Sequence, residues 1–242
     1  MSQLTVNIFS RIWGVCRYLS LQKDMKKLFL FIALTMMYGI AADAQQYKIG
    51  DYYETSGIKG IVIQVNETGE HGLIMSLDRF DGKWTTDKNS KFETNAFFED
   101  DGQKNMDAIG KYLAETGGSW ESFPYFSWCR NKGEGWYPPA LDEVKTMITA
   151  INGSLTSYVS ANYFHFENII VSNGGESLFG KVESGFGDKM PRHFYTSTEG
   201  SKGKMYIAGV LQTSPFAAPK VLIQETKKSW SRYMGARAVH KF

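Results

Sequence analysis

Gly135-Trp136-Tyr137-Pro138-Pro139-Ala140-Leu141-Asp142-Glu143-Val144 leads into Met147, Ile148 and Ile151 and stops at Asn152-Gly153. This stretch predicts a helix with both ends marked. The two prolines open it, because a missing N–H costs nothing in a first turn. Asp142 and Glu143 sit where the positive end of the helix dipole favours acids. Leu141, Val144, Met147, Ile148 and Ile151 recur at helical spacing, and glycine after asparagine ends the run. Upstream, Met106, Ile109, Tyr112 and Leu113 predict a second helix, ended by Gly117-Gly118.

Outside these helices the pattern is β. Gly60–Val65 and His71–Leu77 form a predicted hairpin through Asn66–Glu70. Further strands are expected at Phe194–Thr198, at Met205–Val210 and at Ala236–Phe242, where apolar and polar residues alternate. Asp78–Thr94 reads as loop, and Gly153–Pro191, rich in Ser, Asn and Gly, reads as long loops with short strands at most. Strands at both ends with two helices between them predict an α+β domain with a mixed or antiparallel sheet, two flanking helices and a long irregular region. No period of about 20–50 residues repeats, which excludes solenoids and propellers.

The N-terminus carries an address. Met25-Lys26-Lys27, the apolar run Leu28–Ile40 and Ala42-Asp43-Ala44 have the three-part layout of a secretory signal cleaved before Gln45. The run is shorter than the roughly 20 residues that span a bilayer. Residues 1–24 are read as upstream sequence from a misassigned start codon, the alternative being an n-region of unusual length. The mature domain is then residues 45–242, exported to the periplasm or the cell surface, with no stable membrane span after cleavage. Cys16 precedes the apolar run and cannot take a lipid.

Charge limits the partners. Residues 45–242 carry 22 basic and 23 acidic side chains, so nucleic acid is not expected as a partner. The balance is uneven: residues 201–242 hold eight Lys or Arg against Glu225 alone. Both segments folding into one mixed surface is one reading, and a basic C-terminal face for an acidic ligand is the other. Cys129 is the single cysteine left after processing, so no internal disulfide is available.

The order of four segments is informative: Phe123–Cys129, Gly135–Glu143, Phe194-Tyr195-Thr196-Ser197-Thr198-Glu199 and Arg237–Phe242. This order resembles the exported bacterial domain family named after the C-terminal domain of the Legionella collagen-like adhesin. That family has a Trp-Cys, a Gly-Trp-x-x-Pro before a helix with a Glu, a Tyr-Trp-Ser-Ser-Thr strand and a closing Val-Arg-x-Val-Arg. The start Lys48–Tyr53 and the Gly60–Leu77 hairpin resemble members from Bacteroidota. Here Tyr195-Thr196 stands for Trp-Ser, His240 for the second Arg, and Pro138 for a Leu or small apolar residue. The resemblance implies a C-type-lectin-like fold related to the formylglycine-generating, or sulfatase-modifying-factor, group, with binding carried by the irregular region. Trp128, Trp136, Pro139, Glu143, Tyr195 and Arg237 are assigned structural roles, Arg237 as a partner of Glu143 or Glu199.

Chemistry is thinly marked. His71, His165, His193 and His240 lack metal-ligand spacing, and the calcium signatures of sugar-binding C-type lectins are absent. No cofactor is expected, and calcium is left open without a signature. There is no Gly-x-Ser-x-Gly elbow, and Cys129 beside Trp128 reads as a buried apolar residue. For ligand binding the candidates are Lys227, Lys228, Trp230, Arg232 and Tyr233, where cations and aromatics interleave. An ordinary strand edge with solvated charges competes with that reading. The expected function is a secreted, non-enzymatic domain adhering to glycan or a surface protein. Alternatives are a component of a surface assembly such as a fimbria, and an enzyme on a sulfatase-modifying-factor-like scaffold.

Overall fold

The hairpin, the two capped helices and the later strands all form, and the whole is α+β. The computed structural model describes residues 45–155, 161–178, 192–211, 220–229 and 234–242. Residues 45–242 make one compact unit. Its first sheet is antiparallel, in the order β1 (Tyr52–Thr55), β2 (Ile58–Val65), β3 (Gly72–Ser76), β9 (Val239–Lys241), β4 (Trp136–Tyr137). The second runs β7 (Lys220–Lys227), β6 (Lys204–Leu211), β5 (Arg192–Glu199), all antiparallel, with the two-residue β8 (Met234–Gly235) parallel to β5. In β2, Val62 faces Ile74 while Gln64 faces Leu73, so Ile63 is an extra, bulged residue. Ile61 and Val62 stay in regular register and point to opposite faces, so their shared burial means that both faces of β2 are covered.

The described residues contain four α-helices, not two: α1 (Gly102–Thr116), α2 (Pro124–Asn131), α3 (Leu141–Asn152) and α4 (Ala161–Ser172). Asp101 caps α1 by accepting from the Lys104 N–H at 3.1 Å, and Gly117 turns it off at φ 66°. The last of the four corrects the expectation of irregular chain after Gly153. Its sequence has a weak helical stripe, and it is fixed by Phe166 and Ile170, four apart and both buried in the core.

The opening of α3 departs from the expected roles. Pro139 precedes the helix, outside its first turn, and its carbonyl accepts the Ser197 N–H at 2.7 Å. Glu143 serves two helices. Its Oε2 accepts from Ala140 N–H at 2.8 Å and from Gly102 N–H, the start of α1, at 3.0 Å. Its Oε1 accepts from the Tyr137 hydroxyl at 2.8 Å. Burial raises the Glu143 carboxyl above its usual range, against the pull of these donors. Gly102 is required because a Cβ there would stand 2.2 Å from the Pro138 carbonyl oxygen.

Residues His193 to Glu199 are all buried, hydroxyls included. Thr198 Oγ1 accepts from Leu141 N–H at 3.0 Å and donates to Phe98 O at 2.9 Å. Asn105 of α1 donates to Ser197 Oγ at 2.9 Å. The Thr-Ser-Thr strand therefore ties α1 and α3 to the sheet, each buried hydroxyl having a partner.

Arg237 is buried but pairs with neither Glu143 nor Glu199. Its guanidinium donates to five carbonyls, those of Ser76, Leu77 and Asp78 after β3 and of Glu176 and Ser177 after α4, at 2.6–3.4 Å. Tyr195 is buried with its ring 6.1 Å from that of Tyr125.

Candidate functional site

Of the five C-terminal candidates, two lie among the described residues. Lys227 is exposed at the end of β7, while Trp230, Arg232 and Tyr233 lie outside the described residues. Lys228 is 1% exposed, so its role as a ligand-binding residue is corrected. Its ammonium meets Glu199 Oε1, donates to Phe92 O at 2.9 Å, and lies over the rings of Trp84 and Phe92. Glu199 Oε2 accepts from Thr94 N–H at 2.8 Å, and Trp84 donates to Thr196 O at 3.2 Å. The pair pins the irregular chain of residues 77–101 onto β5. Burial lowers the Lys228 pKa while Glu199 opposes the shift, so desolvation outweighs the attraction.

The site forms instead where α2 hands over to β4. After Asn131 the chain turns, with Gly133 N–H donating to Arg130 O at 3.2 Å. Gly135 sits at φ 78°, and a Cβ there would come within 2.4 Å of His240 Nε2, so only glycine lets the turn lie against β9. Trp136 pairs with His240 in the sheet and sets its ring on that imidazole, centroids 5.3 Å apart. Lys132 reaches back between two indoles, its ammonium 4.8 Å from the Trp128 centroid and 5.2 Å from that of Trp136. It ends on Asp78 Oδ1 at 2.5 Å. Asp78 is placed there by Arg237, which holds the backbone of residues 76–78.

Trp136 borders two open clefts, and Lys132 borders one of them. One, of about 280 Å³, is bordered by Lys59, Leu77, Asp78, Lys132, Trp136 and the Gly174-Gly175 turn. The other, of about 310 Å³, is bordered by Gln103, Met106, Arg130, Glu134 and Trp136. Each approaches the lower end of the volumes that hold small ligands. The donors and acceptors along these borders suit the hydroxyls of a polar ring.

Trp136, assigned to structure from sequence, thus also borders the site, and Trp128 carries the Lys132 ammonium, while Lys59, Asp78, Arg130 and Lys132 were missed. The signal was present. Trp128, Lys132 and Trp136 are spaced by four residues, with a helix at the start and a Gly-x-Gly turn at the end. Among the described residues no group of three or more His, Cys, Asp or Glu could hold a metal ion. Cys129 is fully buried, and burial pushes its thiol well above the usual range. Among the described residues no helix is long and apolar enough to cross a membrane. No protein-family profile matches the sequence, and no curated protein matches it.

Proposed function

We propose that the chain is an exported, non-enzymatic domain of C-type-lectin-like type that binds glycan through the clefts beside Trp136. The observation that carries this reading is an ammonium laid on two indoles and paired with a half-exposed carboxylate at the border of one open cleft, with Trp136 shared by a second. The α+β architecture and the ordered resemblance to the adhesin-type domain support it. The test is a glycan array probed with protein purified after expression of the full chain. Binding that falls in Lys132→Ala and Asp78→Asn, with folding intact, is the expected result. Binding unchanged in both variants would remove that pair from the site, and a blank array would remove glycan.

One observation favours the second reading, a component of a surface assembly. Among the described residues strand β7 is an edge of its sheet, in regular register with β6 over its whole length, and Ile223 on it is 42% exposed. Such an edge is a template for a strand of another chain. A partner recovered from the cell envelope and lost on Ile223→Lys is the outcome that reading expects.

A further inference from the structure

Three cations border the two clefts, and two of them are neutralised. Lys59 holds Glu54 at 2.8 Å, and Lys132 holds Asp78 at 2.5 Å. Arg130 differs: among the described residues no carboxylate lies within ion-pair distance of it. Its guanidinium instead lies over the Trp120 ring, 5.1 Å from the centroid, while the side chain borders the cleft shared with Gln103, Glu134 and Trp136. Stacking on an indole limits the guanidinium's freedom before any ligand arrives. A fork held this way offers paired N–H donors that match the oxygens of an acid group.

The rest of the lining says what carries the acid. Gln103 gives one amide N–H to Asp107 at 3.0 Å, which leaves its carbonyl and second N–H for hydroxyls. Glu134 is an exposed acceptor in the same cleft, and it repels a second negative charge nearby. A ligand with one acid group and several hydroxyls satisfies all three side chains, whereas a densely charged polyanion does not. Resting on the glycan-binding reading above, we infer that Arg130 makes this cleft selective for a sugar residue bearing an acid group, carboxylate or sulfate.

The test is titration of the protein, expressed from the full chain, with four probes. They are methyl galacturonide, methyl galactoside 6-sulfate, methyl galactoside and a poly-glutamate peptide. The wild type is expected to bind at least one acidic sugar about tenfold tighter than the neutral one, the scale of one charge-assisted hydrogen bond. Which acidic sugar it prefers distinguishes carboxylate from sulfate. Arg130→Gln should bring acidic and neutral affinities together while leaving the thermal midpoint unchanged. Arg130→Lys should restore part of the preference. A preference that survives Arg130→Gln overturns the inference and leaves glycan binding standing, as does a wild type that binds the neutral sugar equally well. Poly-glutamate bound with the same Arg130 dependence overturns it in favour of plain charge. No sugar bound at all defeats both this inference and the function it rests on.

Discussion

Lys228→Met should be among the most destabilising single changes in this protein, although lysine on a polar strand end reads as a surface residue. The Lys228 side chain is 1% exposed and that of Glu199 is 0%. Removing the ammonium leaves the Glu199 carboxylate buried with the Thr94 N–H as its remaining donor, and leaves Phe92 O without its donor. Breaking a buried pair from one side costs about 3–5 kcal/mol, because the other charge stays behind. For a unit of this size each kcal/mol moves the thermal midpoint by about 2–4 °C, so a fall of about 6–20 °C is expected. Adding Glu199→Gln removes the stranded charge and keeps an acceptor for Thr94. The double variant should therefore recover half or more of the loss, a coupling of about 2 kcal/mol in a double-mutant cycle. Urea unfolding followed by tryptophan fluorescence reads both numbers, since Trp84 lies under the pair. A Lys228→Met protein within about 1 kcal/mol of wild type would refute the reasoning, as would additive single changes.

Three further outcomes are expected. His193 is buried in β5 and desolvation lowers its pKa to about 4, below the unfolded value of 6.5. The unfolded chain therefore takes up the proton first. Stability is full above pH 6.5 and falls by about 3 kcal/mol toward pH 4. Glu143, raised by burial, contributes with the opposite sign, so the measurement is the difference in slope between wild type and His193→Gln; equal slopes would count against the assignment. Arg237→Lys keeps a charge but cannot reach five carbonyls. It should cost about 2–4 kcal/mol and speed amide exchange at residues 77–79, and protection unchanged there would show that the guanidinium does not hold that segment. Gly135→Ala should destabilise more than Gly133→Ala in thermal melts, because both glycines have positive φ but only at Gly135 does a Cβ meet His240; equal losses would leave backbone strain as the sole cause.

Local pattern determined much of this fold. The apolar spacing and end signals of α1 and α3, the Gly60–Leu77 hairpin and the alternation near the C-terminus are properties of short segments, and those segments form where their own residues direct. What failed were three readings that depend on contacts between distant segments: the irregular chain after Gly153, the ligand role of Lys228 and the carboxylate partner of Arg237. Helix α4 lacks a strong stripe and depends on burying Phe166 and Ile170, so contacts far along the chain decide it. Lys228 follows β7 and Arg237 precedes β9, and sequence assigned one to a ligand and the other to a carboxylate. Only the tertiary structure could bury Lys228 against Glu199, 29 residues away, and give Arg237 backbone carbonyls 60 to 161 residues away. The clefts are of the same kind. Trp128, Lys132 and Trp136 are near neighbours in the chain, but the space beside them exists because β2, the end of β3, α1 and the turn after α4 meet there. Residue type and spacing fix local conformation, whereas which charge is desolvated and which stays open to a ligand is set by what the rest of the chain places over it.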